Sequence, residues 1–202
     1  DVYKRQTSNT ALDEQQRDMM TSVFKSQIPA MEKSDFLVMF EPVGATAQPI
    51  VITQNEFMRR MKDMAAIQSG MAFYGELPDS YNLIVNTDHP LSQKVIADTE
   101  SACKSELTPI LDELKTVNEE IERLQEAKKD KKDDEIPVAD KEALKHAEEK
   151  AKELRAKESD ILKTYADRTP LVRQLVDLAL LSNNMLKGEA LSKFIKRSVE
   201  ML

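Results

Sequence analysis

The sequence contains little of what disulfide-linked, β-rich or membrane-spanning proteins require. Its 202 residues include one cysteine, four glycines and no tryptophan, and aromatic residues make up 5%. Because a single cysteine, Cys103, cannot form an internal disulfide, we expect a reducing, cytoplasmic setting. The shortage of glycine argues against a barrel or a sandwich. No apolar run approaches the roughly 20 residues that cross a bilayer, and no signal peptide is recognisable.

The balance of charge narrows the choice of partner. Charged residues make up 32% of the chain, and the formal net charge is −7. This acidic excess argues against nucleic acid or an anionic membrane surface as the main partner. The opening residues, DVYKRQTSNT, show no helical or strand periodicity and no initiator methionine. We therefore expect residues 1–11 to be disordered or to be the edge of a fragment of a longer protein.

Catalytic motifs are also missing. His89 lies in a turn beside Pro90, His146 lies in a charged stretch, and neither has a cysteine or histidine companion at metal-binding spacing. Cys103 has no obvious basic neighbour to activate it. The sequence contains no GxGxxG and no GxxxxGK[ST] phosphate-binding loop. We therefore expect no catalytic, cofactor-binding or metal-binding residues.

What the chain does contain is helical periodicity interrupted by three short β-prone segments. The predicted helices are Leu12–Gln27, which Pro29 ends, Glu56–Ser69, and one from Leu91 toward Cys103. The predicted strands are Phe36–Phe40, Pro49–Ile52 and Tyr81–Val85. A capping box, in which Thr53 and Glu56 each satisfy a backbone amide, is predicted to start the second helix. The pattern indicates an α+β fold with a small three-stranded sheet.

From Leu107 the apolar residues recur three and four apart, as in a coiled coil. The charged stretch Lys128–Asp140 interrupts the repeat, which then resumes as far as Tyr165. Small alanines on the second arm would let two helices approach closely. We predict a long antiparallel coiled-coil hairpin, residues 107–165, inserted in a domain made of residues 12–106 and 166–202.

The last 32 residues predict two more helices, separated by Asn183, Asn184 and Gly188. Lys193, Lys196, Arg197 and Glu200 are predicted to form the solvent-facing side of the second. About ten apolar side chains, at roughly 2 kcal/mol each, would offset an association cost of roughly 4–15 kcal/mol. The pair could complete this chain's own core or form a four-helix bundle with a second copy. The residues concerned are Leu171, Leu175, Leu178, Leu181, Leu186, Leu191, Phe194, Ile195, Val199 and Leu202.

Methionines and aromatics cluster in and after the helix predicted at Glu56–Ser69. Methionine is flexible and polarisable, so it suits surfaces that accept many apolar partners. An ordinary core helix would show the same spacing. The residues concerned are Phe57, Met58, Met61, Met64 and Ala65 in the helix, and Met71, Phe73 and Tyr74 in the following loop.

Three segments resemble the C-terminal domain of the ninety-kilodalton heat-shock chaperones of the bacterial HtpG type. They are Ile52–Met64 (ITQNEFMRRMKDM), Phe73–His89 (FYGELPDSYNLIVNTDH) and Arg173–Leu202 (RQLVDLALLSNNMLKGEALSKFIKRSVEML). The resemblance covers about Leu12–Leu202 and is weakest across Leu107–Tyr165, which looks like an insertion found in a subset of bacterial members.

The resemblance implies a homodimeric, ATP-driven chaperone whose last two helices hold two protomers together. It also implies that the helix at Glu56–Ser69 faces the cleft between protomers, which makes Met58, Met61, Met64 and Ala65 client-contact candidates. ATP and magnesium would bind upstream domains, and unfolded clients and co-chaperones would be partners. The alternative is a coiled-coil adaptor in which the hairpin binds a partner protein.

Overall fold

The computed structural model describes residues 12–67, 70, 75–129 and 137–201. Within these ranges the chain forms a three-stranded sheet and six helices of at least 12 residues, so the predicted α+β class is confirmed. In chain order the elements are α1 (Glu14–Gln27), β1 (Ser34–Glu41), β2 (Ile50–Gln54), α2 (Glu56–Ile67), β3 (Asp79–Asn86), α3 (Pro90–Glu126), α4 (Val138–Arg168), α5 (Pro170–Ser182) and α6 (Gly188–Glu200). No helix in the described part of the chain is long and apolar enough to cross a membrane.

The chain divides into two compact units. Of the described residues, one unit contains those from 12 to 99 and from 166 to 201, and the other contains those between Glu100 and Tyr165. The helix predicted from Leu91 toward Cys103 continues into the first arm of the predicted hairpin, since α3 runs without a break from Pro90 to Glu126 and includes Pro109. A proline inside a helix removes one backbone donor, and the hydroxyl of Thr108 donates to the carbonyl of Lys104 one turn earlier.

The sheet of the first unit has the order β1-β3-β2. β3 pairs in parallel with β1 and antiparallel with β2. Leu83 in the central strand lies opposite Val38 on one side and opposite Ile52 on the other. β1 and β2 are consecutive in the chain, but β3 lies between them. The three strands themselves were predicted from the sequence.

The core of the first unit lies between one face of this sheet and helices α1 and α5. α1 begins with a capping box between Asp13 and Gln16 and ends before Pro29, as predicted. The ring of Phe24 packs edge-on against Phe40, with ring centroids 6.4 Å apart. The fully buried side chains from helices and strands include Met20, Val23, Ile50, Leu83, Val85, Val172, Val176 and Leu180.

A buried asparagine fixes the connection between β1 and β2. Oδ1 of Asn86 accepts from the backbone amides of Val43 and Asp88, at 3.0 and 3.1 Å. Its Nδ2 donates to the carbonyls of Gly44 and Gln48, at 2.8 and 3.2 Å. Gly44 has a φ of +106°, which a residue with a Cβ rarely adopts. A single polar side chain thus organises the loop 43–48 from within.

The second unit consists of α3 from Glu100 onward and α4 as far as Tyr165. Five residues of the predicted apolar repeat form a buried cluster between the two helices: Leu114, Val117, Ala147, Ala151 and Leu154. Two of the five are alanines, which agrees with the close approach expected from the sequence. Nζ of Lys150 lies 2.6 Å from Oε1 of Glu113, at the side of this contact. An antiparallel coiled coil remains a prediction for these helices.

Candidate functional site

Helix α2 begins directly after strand β2, and an asparagine caps it. Oδ1 of Asn55 accepts from the backbone amide of Met58 at 3.2 Å. The predicted capping box is wrong, because Thr53 belongs to β2 and the side chain of Glu56 pairs with Arg60 one turn later. Asparagine and threonine are both good caps. The cap lies two positions later than predicted, and the helix begins at Glu56 as predicted.

One side of α2 rests on the sheet. Nζ of Lys62 lies 2.7 Å from Oδ1 of Asp79, the first residue of β3. Met58, Met61 and Ala65 are half-buried on the same side. None of the residues Glu56–Ile67, all within the described ranges, is fully buried. α2 is therefore attached along one edge, and much of its apolar surface faces outward.

The exposed apolar side of α2 consists of three residues, Phe57, Met64 and Ile67, which we name the α2 stripe. Their exposed fractions are 63%, 42% and 85%. Spacings of seven and three place them on one face of a helix. Sequence reasoning missed Ile67 as a site residue, although its spacing from Met64 was visible. The predicted contacts Met71, Phe73 and Tyr74 lie outside the described residues.

Charged pairs border the α2 stripe. Arg59 pairs with Asp63 at 3.3 Å, and Arg60 pairs with Glu56. Both pairs are four residues apart and exposed, so each stabilises the helix by only about 0.3–0.5 kcal/mol. The two arginines and the two acidic residues contribute no net charge. These four residues therefore do not favour clients of either charge sign.

A second exposed apolar surface lies on the two terminal helices. α5 starts at Pro170, one residue before the last 32 residues, and the chain then turns through Asn184 and Gly188, whose φ values are +57° and +59°. None of the residues 188–200 of α6, all within the described part of the chain, is fully buried. Ile195 and Val199 are 53% and 67% exposed, and Leu178 on α5 and Met201 after α6 are also exposed.

The ten residues predicted for a dimer interface are distributed unevenly. Leu175 and Leu186 are buried inside this chain, so they have no surface left for a second copy. Leu202 lies outside the described residues. The other seven keep accessible surface: Leu171, Leu178, Leu181, Leu191, Phe194, Ile195 and Val199. Leu178 also borders a small cleft lined by Gln48, Pro49 and Ile50. We name these seven residues, together with Met201, the terminal apolar surface.

A buried polar network that sequence reasoning missed connects α5 to α6. The carboxylate of Asp177 is 2% exposed, and Nη2 of Arg197 donates to its Oδ2 at 2.6 Å. Nε of Arg173 donates to both carboxylate oxygens at 3.1 Å. The prediction that Arg197 lies on the solvent-facing side of α6 is therefore wrong. The only signal was the i, i+4 spacing of Arg173 and Asp177, which is also common on exposed helices.

The remaining chemically interesting residues have structural environments. Nδ1 of His89 accepts from the backbone amide of Leu91 at the start of α3, and His146 is exposed. Burial, and then the charge of Glu106, raises the pKa of the Cys103 thiol, which keeps it protonated. Within the described ranges no three His, Cys, Asp or Glu side chains lie close enough together to hold a metal ion.

The chain is similar in sequence to known bacterial chaperones. It is 45% identical, over 201 residues, to the chaperone protein HtpG of Bacteroides thetaiotaomicron and to that of Bacteroides fragilis strain 638R. It is 42% identical, over the same length, to the chaperone protein HtpG of Porphyromonas gingivalis strain ATCC 33277. These matches cover the whole chain but only 30%, 30% and 29% of the relatives. No protein-family model and no solved structure matches the chain.

Proposed function

We propose, from the premise that this chain belongs to the HtpG-type chaperones, that it joins two copies of such a chaperone and contacts unfolded or partly folded client proteins. In this proposal the dimerisation domain consists of residues 12–106 and 166–202, with the hairpin 107–165 inserted. The full-length protein is a cytoplasmic chaperone whose other domains bind ATP and magnesium. The stretch described here performs no catalysis itself.

The α2 stripe is the observation that carries the client-contact half of the proposal. The helix is attached to the sheet through its other side, which carries Lys62. The three large apolar side chains of the stripe are therefore available to a partner. At roughly 1.5–3 kcal/mol for each side chain fully buried, they supply roughly 5–9 kcal/mol before any ordering cost. That is enough for a weak, reversible contact and too little for a permanent one. Such a contact suits a chaperone that must release its clients.

The terminal apolar surface supports the homodimer. Leu178, Ile195 and Val199 keep much of their area exposed within one chain, so a second copy could bury them. When two copies of the same surface meet, the interface has twofold symmetry. Two α5–α6 pairs would then form the predicted four-helix bundle.

Dimerisation would also strengthen client binding. A client held by the α2 stripe of one protomer meets the stripe of the other at an effective concentration in the millimolar range, typical of short linkages. Two weak contacts then give a higher overall affinity for the client, although neither contact is itself stronger.

The experiment that tests client contact replaces the α2 stripe. We expect the triple variant Phe57→Ser, Met64→Ser, Ile67→Ser to bind carboxymethylated, permanently unfolded lactalbumin at least about tenfold more weakly in fluorescence anisotropy. Its melting temperature should stay within about 3 °C of wild type, because none of the three side chains is buried. A control in the charged border of the same helix, Arg59→Ser with Asp63→Ser, removes an exposed ion pair without changing the stripe and should bind normally.

Two results would contradict client contact at this surface. Unchanged affinity of the triple variant would show that clients bind elsewhere. A fall of more than about 10 °C in its melting temperature would show that the α2 stripe packs within the chain.

A further inference from the structure

Helix α6 contacts α5 through a polar network, and few of its apolar side chains are covered. None of the residues 188–200, which the structure describes in full, is fully buried, and only Leu191 and Phe194 bring large apolar groups partly inside. Ile195 and Val199 remain largely exposed. A lone apolar helix would normally turn its most apolar face toward its neighbour. Some other interaction must keep these two side chains outward.

The network at Asp177 supplies that interaction. Nη2 of Arg197 reaches Oδ2 of Asp177 at 2.6 Å, and its Nε donates to Oε1 of Gln174 at 2.8 Å. The amide of Gln174 donates to the hydroxyl of Ser198, which donates to the carbonyl of Phe194 at 2.8 Å. Adjacent residues of α6 are thus bonded to two positions one turn apart on α5. Contacts of this kind fix both the rotation and the height of a helix.

The burial of the carboxylate makes the network selective. A buried carboxylate without partners is strongly disfavoured, and one with well-placed cationic donors is tolerated. Arg173 lies on the same helix as Asp177, so this ion pair does not depend on where α6 lies. Arg197 is therefore the charged group whose contact depends on how α6 is placed. The network favours the one rotation of α6 that brings Arg197 inward.

Helix geometry then determines where the apolar residues point. Arg197 is two residues from Ile195 and two from Val199, which corresponds to about 200° around the helix in either direction. Ile195 and Val199 are four residues apart and share a face. When Arg197 faces α5, both apolar side chains must face away from it. The observed exposures of these residues agree with this relation.

We propose that the Asp177–Arg197 pair positions α6, and thereby presents Ile195 and Val199 to the second copy. The inference rests on the proposed homodimer. Without the pair, α6 rolls so that Ile195 and Val199 turn toward α5, and the surface available to the partner is lost. Asp177 and Arg197 act as positioning residues, since neither belongs to the apolar surface itself.

The test measures the roll and the dimer separately. In a Cys103→Ala background, the added substitution Val199→Cys places a thiol on the outward face, and its labelling rate is measured at concentrations at which the chain is monomeric. Adding Arg197→Met, which keeps the aliphatic stem, should slow labelling several-fold and weaken the dimer, measured by sedimentation velocity, by about tenfold or more. Arg197→Lys should give intermediate values because it keeps the charge and loses the fork of donors.

Lys193→Met is the matched control. Lys193 pairs with Glu189 on the same helix at 2.8 Å, and both side chains are exposed. This variant should change neither labelling nor dimerisation.

The outcomes separate the inference from the proposed function. Labelling that becomes faster in the Arg197→Met variant would mean that α6 merely loosens, which overturns a positioning role. Unchanged labelling with an unchanged dimer also overturns it. A wild-type chain that remains monomeric would overturn the proposed homodimer, whatever the labelling rates.

Discussion

Nζ of Lys62 lies 2.7 Å from Oδ1 of Asp79, so the middle of α2 is tied to the first residue of β3. Lys62 is five residues from Phe57 and two from Met64, which places it on the far side of α2 from both. Arg197 has the same relation to Ile195 and Val199 on α6. In both helices, a charged residue anchored to the body lies opposite the exposed apolar residues.

Replacing Lys62 with methionine should loosen α2 without unfolding the body. The pair is partly exposed, with side-chain exposures of 22% and 41%, so its loss should cost about 1 kcal/mol or less. We expect faster hydrogen exchange in residues 56–67 and unchanged exchange in β3. If both regions exchanged equally faster, the pair would be supporting the whole unit rather than α2.

Replacing Asn86 with alanine should strongly destabilise the first unit. The substitution leaves two backbone amides and two backbone carbonyls without their partner, in four hydrogen bonds that are partly buried. We expect the free energy of unfolding in urea to fall by about 3 kcal/mol or more. Asn86→Asp keeps an acceptor for Val43 and Asp88 but places a buried carboxylate oxygen against the carbonyls of Gly44 and Gln48, so at neutral pH it should lose at least as much as alanine. A loss below about 1 kcal/mol for alanine would show that the loop 43–48 is held by other contacts.

The thiol of Cys103 should react slowly. Burial and the neighbouring Glu106 raise its pKa, so less thiolate is present at neutral pH than for a free cysteine. We expect slow reaction with a chromogenic disulfide reagent at pH 7.5 in the native chain, and rapid reaction after denaturation in guanidinium. The native rate should increase as the pH rises. Rapid native reaction at pH 7.5 would contradict the buried position.

Excising residues 107–165 and closing the gap with a short flexible linker tests the adaptor alternative. In the second unit the buried cluster involves residues from α3 and α4 alone, so it should be removed as a block. We expect the shortened chain to fold, to dimerise and to bind unfolded lactalbumin as wild type does. If the shortened chain dimerised but no longer bound unfolded lactalbumin, the hairpin would be the binding element, as the adaptor alternative requires. Failure to fold would show that the hairpin is needed for the fold.

Local patterns predicted the elements well. The short β-prone segments Phe36–Phe40 and Tyr81–Val85 and the proline at position 29 are local signals, and each matches a strand or a helix end in the structure. Strand order was not predictable in this way. Periodicity identifies which face of β1 is buried but not which strand lies beside it, and β3 takes the central place.

The candidate surfaces were predicted only in part, for a physical reason. Helical spacing collected the methionines of α2 into one apolar set, but the tie between Lys62 and Asp79 divides that set into a half-buried edge and an exposed stripe. On α6, Arg197 appeared to belong with the other charged residues. Its inward position depends on Asp177, 20 residues away, and nothing in the amphipathic pattern distinguishes it from Lys193 or Lys196.

Sedimentation velocity of the intact chain tests the proposed homodimer most directly. At micromolar concentration we expect a species of twice the 22.9 kDa chain mass, and a monomer for the double variant Ile195→Glu, Val199→Glu, because charges cannot be buried unpaired in an apolar interface. Lys193→Gln, on the same helix, should remain dimeric. A wild-type chain of 22.9 kDa at high micromolar concentration would contradict the proposal.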